Sequence, residues 1–256
     1  MVSTRRFGRL GNALYMYAAM IAYAKKHDSD YHFPTVTNNN VWNPIYFTEL
    51  ANNKWVNGVE DVLINEHGHH YQELPFEKEW RDLQIVLNGY WQSYKYFDWC
   101  KEEVLRVFNF PYEMNKGVCS IHVRRGDYLL YPTRHPVVTI EYLENAMMEV
   151  MGRYGSHLKF KVFSDDIEWC KENVPKLYGA PIEFSEGKTE LQDLIEMANS
   201  EHNICSNSTM STWASELNRN PNKIVVVPSE GNWFGVDNSH LAVHDMYRPE
   251  WVQIAY

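Results

Sequence analysis

Val118-Cys119-Ser120-Ile121-His122-Val123-Arg124-Arg125-Gly126-Asp127-Tyr128 changes character halfway along. Its first half reads as a strand, with Val118, Ile121 and Val123 apolar and β-prone. Its second half is a polar turn that opens on two arginines. A guanidinium is always charged and presents a rigid fork of donors that fits phosphate oxygens. Ligands of open α/β sheets bind beyond the carboxyl ends of the strands. Two arginines at such an end form a candidate anion clamp. The alternative is a structural ion pair, with Arg124 or Arg125 satisfied by Asp127. The local pattern leaves both readings open.

Downstream, the chain alternates strand and helix. The arginine turn leads through Pro132 and Pro136 to a helix with Ile140, Leu143, Ala146 and Met147 on its inner face. Phe160-Lys161-Val162-Phe163 is a strand that ends in Ser164-Asp165-Asp166, with a helix from Trp169 to Val174 after it. Ile182-Glu183-Phe184 is a short strand, and a helix from Leu191 to Ala198 starts near Thr189. His202 to Cys205 is a strand ending in Ser206-Asn207-Ser208-Thr209, followed by a helix from Ser211 to Leu217. Ile224 to Val227 is a last strand, stopped by Pro228. This alternation predicts βαβ units and a parallel sheet. Three polar clusters then stand at strand ends on one rim and should converge: Arg124 to Asp127, Ser164 to Asp166 and Ser206 to Thr209. An anionic, nucleotide-like ligand across that rim is the natural inference.

Upstream, Arg6-Phe7-Gly8-Arg9-Leu10-Gly11-Asn12 is a glycine turn that feeds a helix ending at Lys25-Lys26-His27. Gly8 and Gly11 allow close backbone approach, and a helix N-terminus offers free N–H donors. Residues 30–80 are harder to read. Asn38 to Asn40, Asn43-Pro44 and Asn52-Asn53 mark loops, and the spacing of His67, His69 and His70 fits no metal pattern. Val86-Leu87-Asn88-Gly89-Tyr90-Trp91-Gln92-Ser93 is a strand and an aromatic turn, with a helix from Asp98 through Val107 after it. Residues 112–117 read as a linker. The domains expected are therefore 1–115 and 116–256.

The net charge of -9 argues against a sequence-independent nucleic-acid binder, which needs a basic surface. A local basic pocket for an anion is compatible with it. Cys100, Cys119, Cys170 and Cys205 are far apart and are expected to be reduced thiols, with no zinc site and no disulfide. No signal-peptide pattern is seen, and the apolar run Leu14 to Ala24 is too short to cross a bilayer. A cytoplasmic protein without an integral membrane segment is expected, with a peripheral place on the inner membrane face as a further option. The sequon Asn207-Ser208-Thr209 is expected to be unused.

The motifs together resemble a known family. His122-Val123-Arg124-Arg125-Gly126-Asp127-Tyr128 is similar to the H-x-R-R-G-D-Y motif of the α-1,2-fucosyltransferases of glycosyltransferase family 11. Gly8 to Asn12, Gly89 to Phe97, Phe163 to Trp169, Asp193 to Trp213 and Asn220 to Phe234 resemble the family's other segments, in order. The resemblance implies an α/β GT-B-like fold, two Rossmann-like domains facing a cleft, with the acceptor on the N-terminal side and GDP-fucose on the C-terminal side. It implies transfer of L-fucose from GDP-β-L-fucose to the 2-hydroxyl of a terminal galactose, on an oligosaccharide or a lipid-linked glycan. Arg124, Arg125, Asp127 and Asn12 become candidates for catalysis. Donor binding would fall to His122, Arg124, Arg125, Asp165, Asp193, Asn207, Ser208, Thr209 and Gly11, and acceptor binding to Tyr90, Trp91 and Gln92.

The chemistry is consistent with this. A departing GDP gains charge on its β-phosphate, and many glycosyltransferases neutralise that charge with a metal on a D-x-D motif. Here Asp165 and Asp166 are adjacent, so the two arginines are expected to do that work with no metal and no cofactor. Asp127 is a candidate base or an orienter of the arginines. Two rival readings are a GT-B transferase using another nucleotide sugar and a non-catalytic glycan-binding module.

Overall fold

A computed structural model describes residues 1–34, 58–155, 157–176 and 179–256. The loops expected at 38–40, 43–44 and 52–53 lie outside the described residues. The chain divides into two compact units, residues 1–110 with 242–247 and residues 111–241 with 248–256.

The first unit is built on a three-stranded parallel sheet of β1 (Val2–Thr4), β2 (Val62–Asn65) and β3 (Ile85–Asn88), with β3 in the middle. Helix α1 (Leu10–Lys26) is buried almost all round, from Leu14 through Ala24. A helix apolar on every side belongs inside its unit, so α1 is the core against which the sheet forms. Helix α2 (Lys101–Phe108) begins three residues later than the expected start at Asp98, because Asp98 to Cys100 form a 3-10 turn. It ends at Asn109, whose left-handed backbone (φ 45°) closes the helix. β1 and β2 are too short to stand out by alternation. They form because each adds a parallel partner to β3.

The second unit carries a six-stranded, all-parallel sheet. Its strands are β4 (Asn115–Val123), β5 (Lys159–Ser164), β6 (Ile182–Phe184), β7 (Ser200–Ile204), β8 (Val225–Pro228) and β9 (Val252–Ile254). Helices α3 (Ile140–Tyr154), α4 (Ile167–Asn173), α5 (Glu190–Ala198) and α6 (Thr209–Leu217) connect them. The strand order is β6-β5-β4-β7-β8-β9. Counted within the unit, this is 3-2-1-4-5-6, the doubly wound dinucleotide-binding order. The order reverses between β4 and β7, and such folds hold their ligands at that reversal.

Alternation along β4 sorts its side chains. Cys119, Ile121 and Val123 join Phe160, Val162, Ile204 and Val226 in one core with Tyr142, Leu143, Ala146 and Met147 of α3. Ser120 and His122 point to the opposite face. There Asn203 Nδ2 donates to Ser120 Oγ (2.7 Å) and Asn218 Nδ2 to Asn203 Oδ1 (2.8 Å), so the buried amides are satisfied. Helix starts follow local chemistry. Thr189 and Gln192 form a capping box, Thr139 accepts from Tyr142 N (3.1 Å), and Asp166 accepts from Trp169 N (3.4 Å).

β4 starts at Asn115, inside the stretch read as a linker. Asn115 N donates to Asn199 O (2.7 Å) and Gly117 N to Glu201 Oε2 (2.5 Å). These polar bonds extend the strand where no apolar pattern announces it. The four cysteines are free and buried. Asn207 is 1% exposed and its Nδ2 donates to Pro136 O (2.8 Å) and Trp233 O (3.1 Å), so the sequon is closed to modification in the folded chain. Among the described residues, no helix is long and apolar enough to cross a membrane.

Candidate active site

The carboxyl rim of the large sheet gathers the polar strand ends. Arg124 lies between two carboxylates, with Nη2 2.5 Å from Asp127 Oδ1 and Nη1 2.9 Å from Asp165 Oδ2. Arg125 donates through Nε to Asp166 Oδ2 (2.9 Å), and its guanidinium lies 3.8 Å from the centre of the Trp169 ring. The Arg125 backbone N–H donates to Asp165 Oδ1 (2.9 Å). The ion pair weighed above is present at Arg124, while Arg125 is paired with Asp166 instead. The arginines are structurally paired, and the pairing uses only part of each fork, which leaves donors for an anion. Asp165 and Asp166 are committed to holding them. Gly126 makes this possible, since a Cβ there would sit 2.3 Å from Asp165 Oδ2.

On the other side of the reversal, β7 leads into α6. Ser208 is the cap residue of α6 but makes no side-chain cap bond, and Thr209 is its first residue. The start of α6 brings the positive end of a helix dipole to this rim. The β4 and β7 ends are tied together: Ser206 Oγ is 2.9 Å from His122 Nδ1, and Tyr128 Oη donates to Asn207 O (3.0 Å). His122 and Asn207 are buried, so they brace the rim from within. At the far edge, Asp193 in the first turn of α5 accepts from Ser185 Oγ (2.7 Å), just past the end of β6. Burial raises the Asp193 carboxyl above its ordinary value, against that hydrogen bond. Asp193, Asp165, Arg124 and Ser208 thus follow the ends of four adjacent strands, a span of about 14 Å at the usual strand spacing.

The first unit has a rim of its own at the ends of β1, β3 and β2. Gly8 adopts φ +63°, and a Cβ on it would lie 2.1 Å from Asn12 Nδ2, so the glycine admits the Asn12 side chain. Gln92 Nε2 donates to Asn12 Oδ1 (3.0 Å). Gly11 is buried in the first turn of α1. Tyr90 is half-buried between Phe7 (5.7 Å between ring centres) and His69 (5.8 Å). Trp91, grouped with the acceptor side by resemblance, is 0% exposed and supports the turn from beneath.

One residue escaped the sequence reading. Glu66 follows β2, and its two oxygens accept the N–H groups of Tyr90 (2.6 Å) and Trp91 (2.8 Å). Burial pushes its carboxyl up to about 7, against both bonds. No local pattern marks it, because its partners are backbone groups more than twenty residues away.

A parallel sheet of doubly wound order, with an arginine pair at its reversal, defines an α/β protein of the open-sheet class. The chain belongs to glycosyl transferase family 11, whose model matches residues 1–255. It is 30% identical to an alpha-1,2-colitosyltransferase of Escherichia coli over 65% of this chain and 61% of the relative. It is 26% identical to a galactoside alpha-(1,2)-fucosyltransferase 2 of Hylobates lar over 82% of this chain and 67% of the relative. The chain thus spans about two thirds or less of the length of these relatives. A crystal structure of POFUT1 in complex with GDP-fucose matches with a TM-score of 0.47 and 12% identity, over 87% of this chain and 94% of that one, a likeness too loose to carry detail.

Proposed function

We propose that this chain is an inverting α-1,2-fucosyltransferase that moves L-fucose from GDP-β-L-fucose to the 2-hydroxyl of a terminal galactose. The observation that carries the reading is the braced Arg124–Arg125 pair at the strand-order reversal of the large sheet, in a family 11 chain. In one displacement, the acceptor oxygen bonds to the anomeric carbon while the bond from that carbon to the β-phosphate oxygen breaks. The electron pair leaves with GDP, and the hydroxyl proton passes to a base. Arg124 and Arg125 neutralise the charge that grows on GDP, aided by the start of α6 at Ser208 and Thr209. Asp193 reads the base from the β6 edge. Asp127 braces Arg124, a geometry that favours orientation over proton transfer. Tyr90, Gln92 and Asn12 serve the acceptor side, over Trp91.

Because Asp165 and Asp166 already hold the arginines, the reaction is proposed to need no metal. Full transfer activity in excess EDTA is the expected result, and strict dependence on added Mn²⁺ would contradict it. Asp193→Ala is expected to weaken GDP binding roughly tenfold by calorimetry. Unchanged affinity would remove Asp193 from the donor site. The buried free thiols favour a cytoplasmic setting.

A second reading is favoured by the bacterial relative named for colitose transfer: the same rim could serve a donor carrying another deoxysugar. A comparison of GDP-fucose with other nucleotide sugars as donors separates the two.

A further inference from the structure

The turn at 89–92 is held in an unusual state. Among the described residues three non-glycines have positive φ: Asp28, Asn109 and Trp91. Asp and Asn tolerate that region, and Asp28 and Asn109 both follow helix ends. Trp91, at φ 54°, is bulky and has no such excuse. A strained conformation persists only where its surroundings over-determine it, and such strain clusters at working sites.

Glu66 supplies the constraint. Its carboxylate spans the turn, one oxygen on each of two consecutive N–H groups. The fit is close: a Cβ on Gly89 would sit 2.3 Å from Glu66 Cβ and 3.0 Å from Trp91 Cε2. The next residue, Gln92, donates to the Asn12 side chain that Gly8 admits. The chain of contacts runs from Glu66 through a strained turn to Gln92 and Asn12.

We propose that Glu66 is a positioning residue of the acceptor side, clamping the 89–92 turn so that Gln92 and the Asn12 carboxamide are aimed at a hydroxyl-bearing sugar. This rests on the transferase reading given above. Burying an acidic group against two backbone donors makes the clamp strongest when the group is ionised. Its carboxyl is raised to about 7, so the clamp is complete above that pH and weakens as the pH falls through it. Among the described residues, the Tyr96 hydroxyl feels the Glu66 charge, and His67 and His69 follow Glu66 in the chain. Asp245 also acts on Tyr96.

The test separates acceptor from donor kinetics. In Glu66→Gln, one of the two N–H groups meets an amide N–H₂ in place of an oxygen. The acceptor KM should rise on the order of tenfold or more, while the donor KM and acceptor-free hydrolysis of GDP-fucose stay within twofold. The wild-type rise in acceptor KM below pH 7 should flatten in the variant. Gln92→Ala, which leaves the clamp and cuts the Asn12 link, should raise the acceptor KM in the same way and carries the test if Glu66→Gln does not fold. Unchanged acceptor KM in a folded variant, or an acid limb that survives Glu66→Gln, would overturn the proposal. A wild-type protein that neither hydrolyses nor transfers GDP-fucose would instead sink the transferase reading, which keeps the two failures distinct.

Discussion

Arg125→Ala is expected to lower kcat/KM for transfer by roughly a hundred- to a thousandfold, the usual cost of removing one preorganised donor from a developing anion. The fold should survive. Arg125 is held by one ion pair at a partly open rim and by the face of Trp169. A pair of that kind contributes about 1 kcal/mol or less, and a cation over an indole about the same. In a chain of this size such a loss moves Tm by only a few degrees. The variant should also lose the thermal stabilisation that GDP gives the wild type. Arg125→Lys restores the charge but not the fork or the flat stacking surface, so it should recover only part of the rate. Turnover close to wild type in a folded Arg125→Ala protein would mean that the pair is structural and nothing more.

Gly126→Ala should be nearly as damaging, although no functional group is lost. The new methyl would stand 2.3 Å from Asp165 Oδ2, so Asp165 must move. Asp165 is the carboxylate that holds Arg124 Nη1 and the Arg125 backbone N–H, each at 2.9 Å. Its displacement loosens both arginines at once, and a loss of transfer on the order of tenfold to a hundredfold is expected. The two residues are in contact, so their effects should not add. The double variant Gly126→Ala/Asp165→Ala should be no slower than Asp165→Ala alone. Additive losses would show that Gly126 acts through something other than Asp165.

The large sheet was legible where a strand is an apolar run closed by polar residues, as β5 is, and where the helix after it has its own start signal. Thr189 with Gln192 and Thr139 are local devices that a reader of the chain can see. The rim was legible for the same reason, since Arg124 and Asp165 follow their strands directly and Ser208 closes the polar run after β7. What stayed hidden depends on partners distant along the chain. β1 exists because β3 pairs with it across more than eighty residues, and three residues of Val-Ser-Thr carry no period. The start of β4 rests on Asn199 and Glu201. Glu66 is recognisable only once the backbone of Tyr90 and Trp91 is seen to lie on it. Burial was not legible either: Trp91, Gln92 and Asn207 stand in polar or aromatic turns of the sequence but are buried in the fold.

The most direct test is product analysis. Incubation with GDP-fucose and a panel of β-galactosides, followed by NMR of the product, should show an α-linked fucose on the galactose 2-hydroxyl, formed equally well in EDTA. Release of no fucose from GDP-fucose, together with transfer from a different nucleotide sugar or binding of galactosides without turnover, would contradict it.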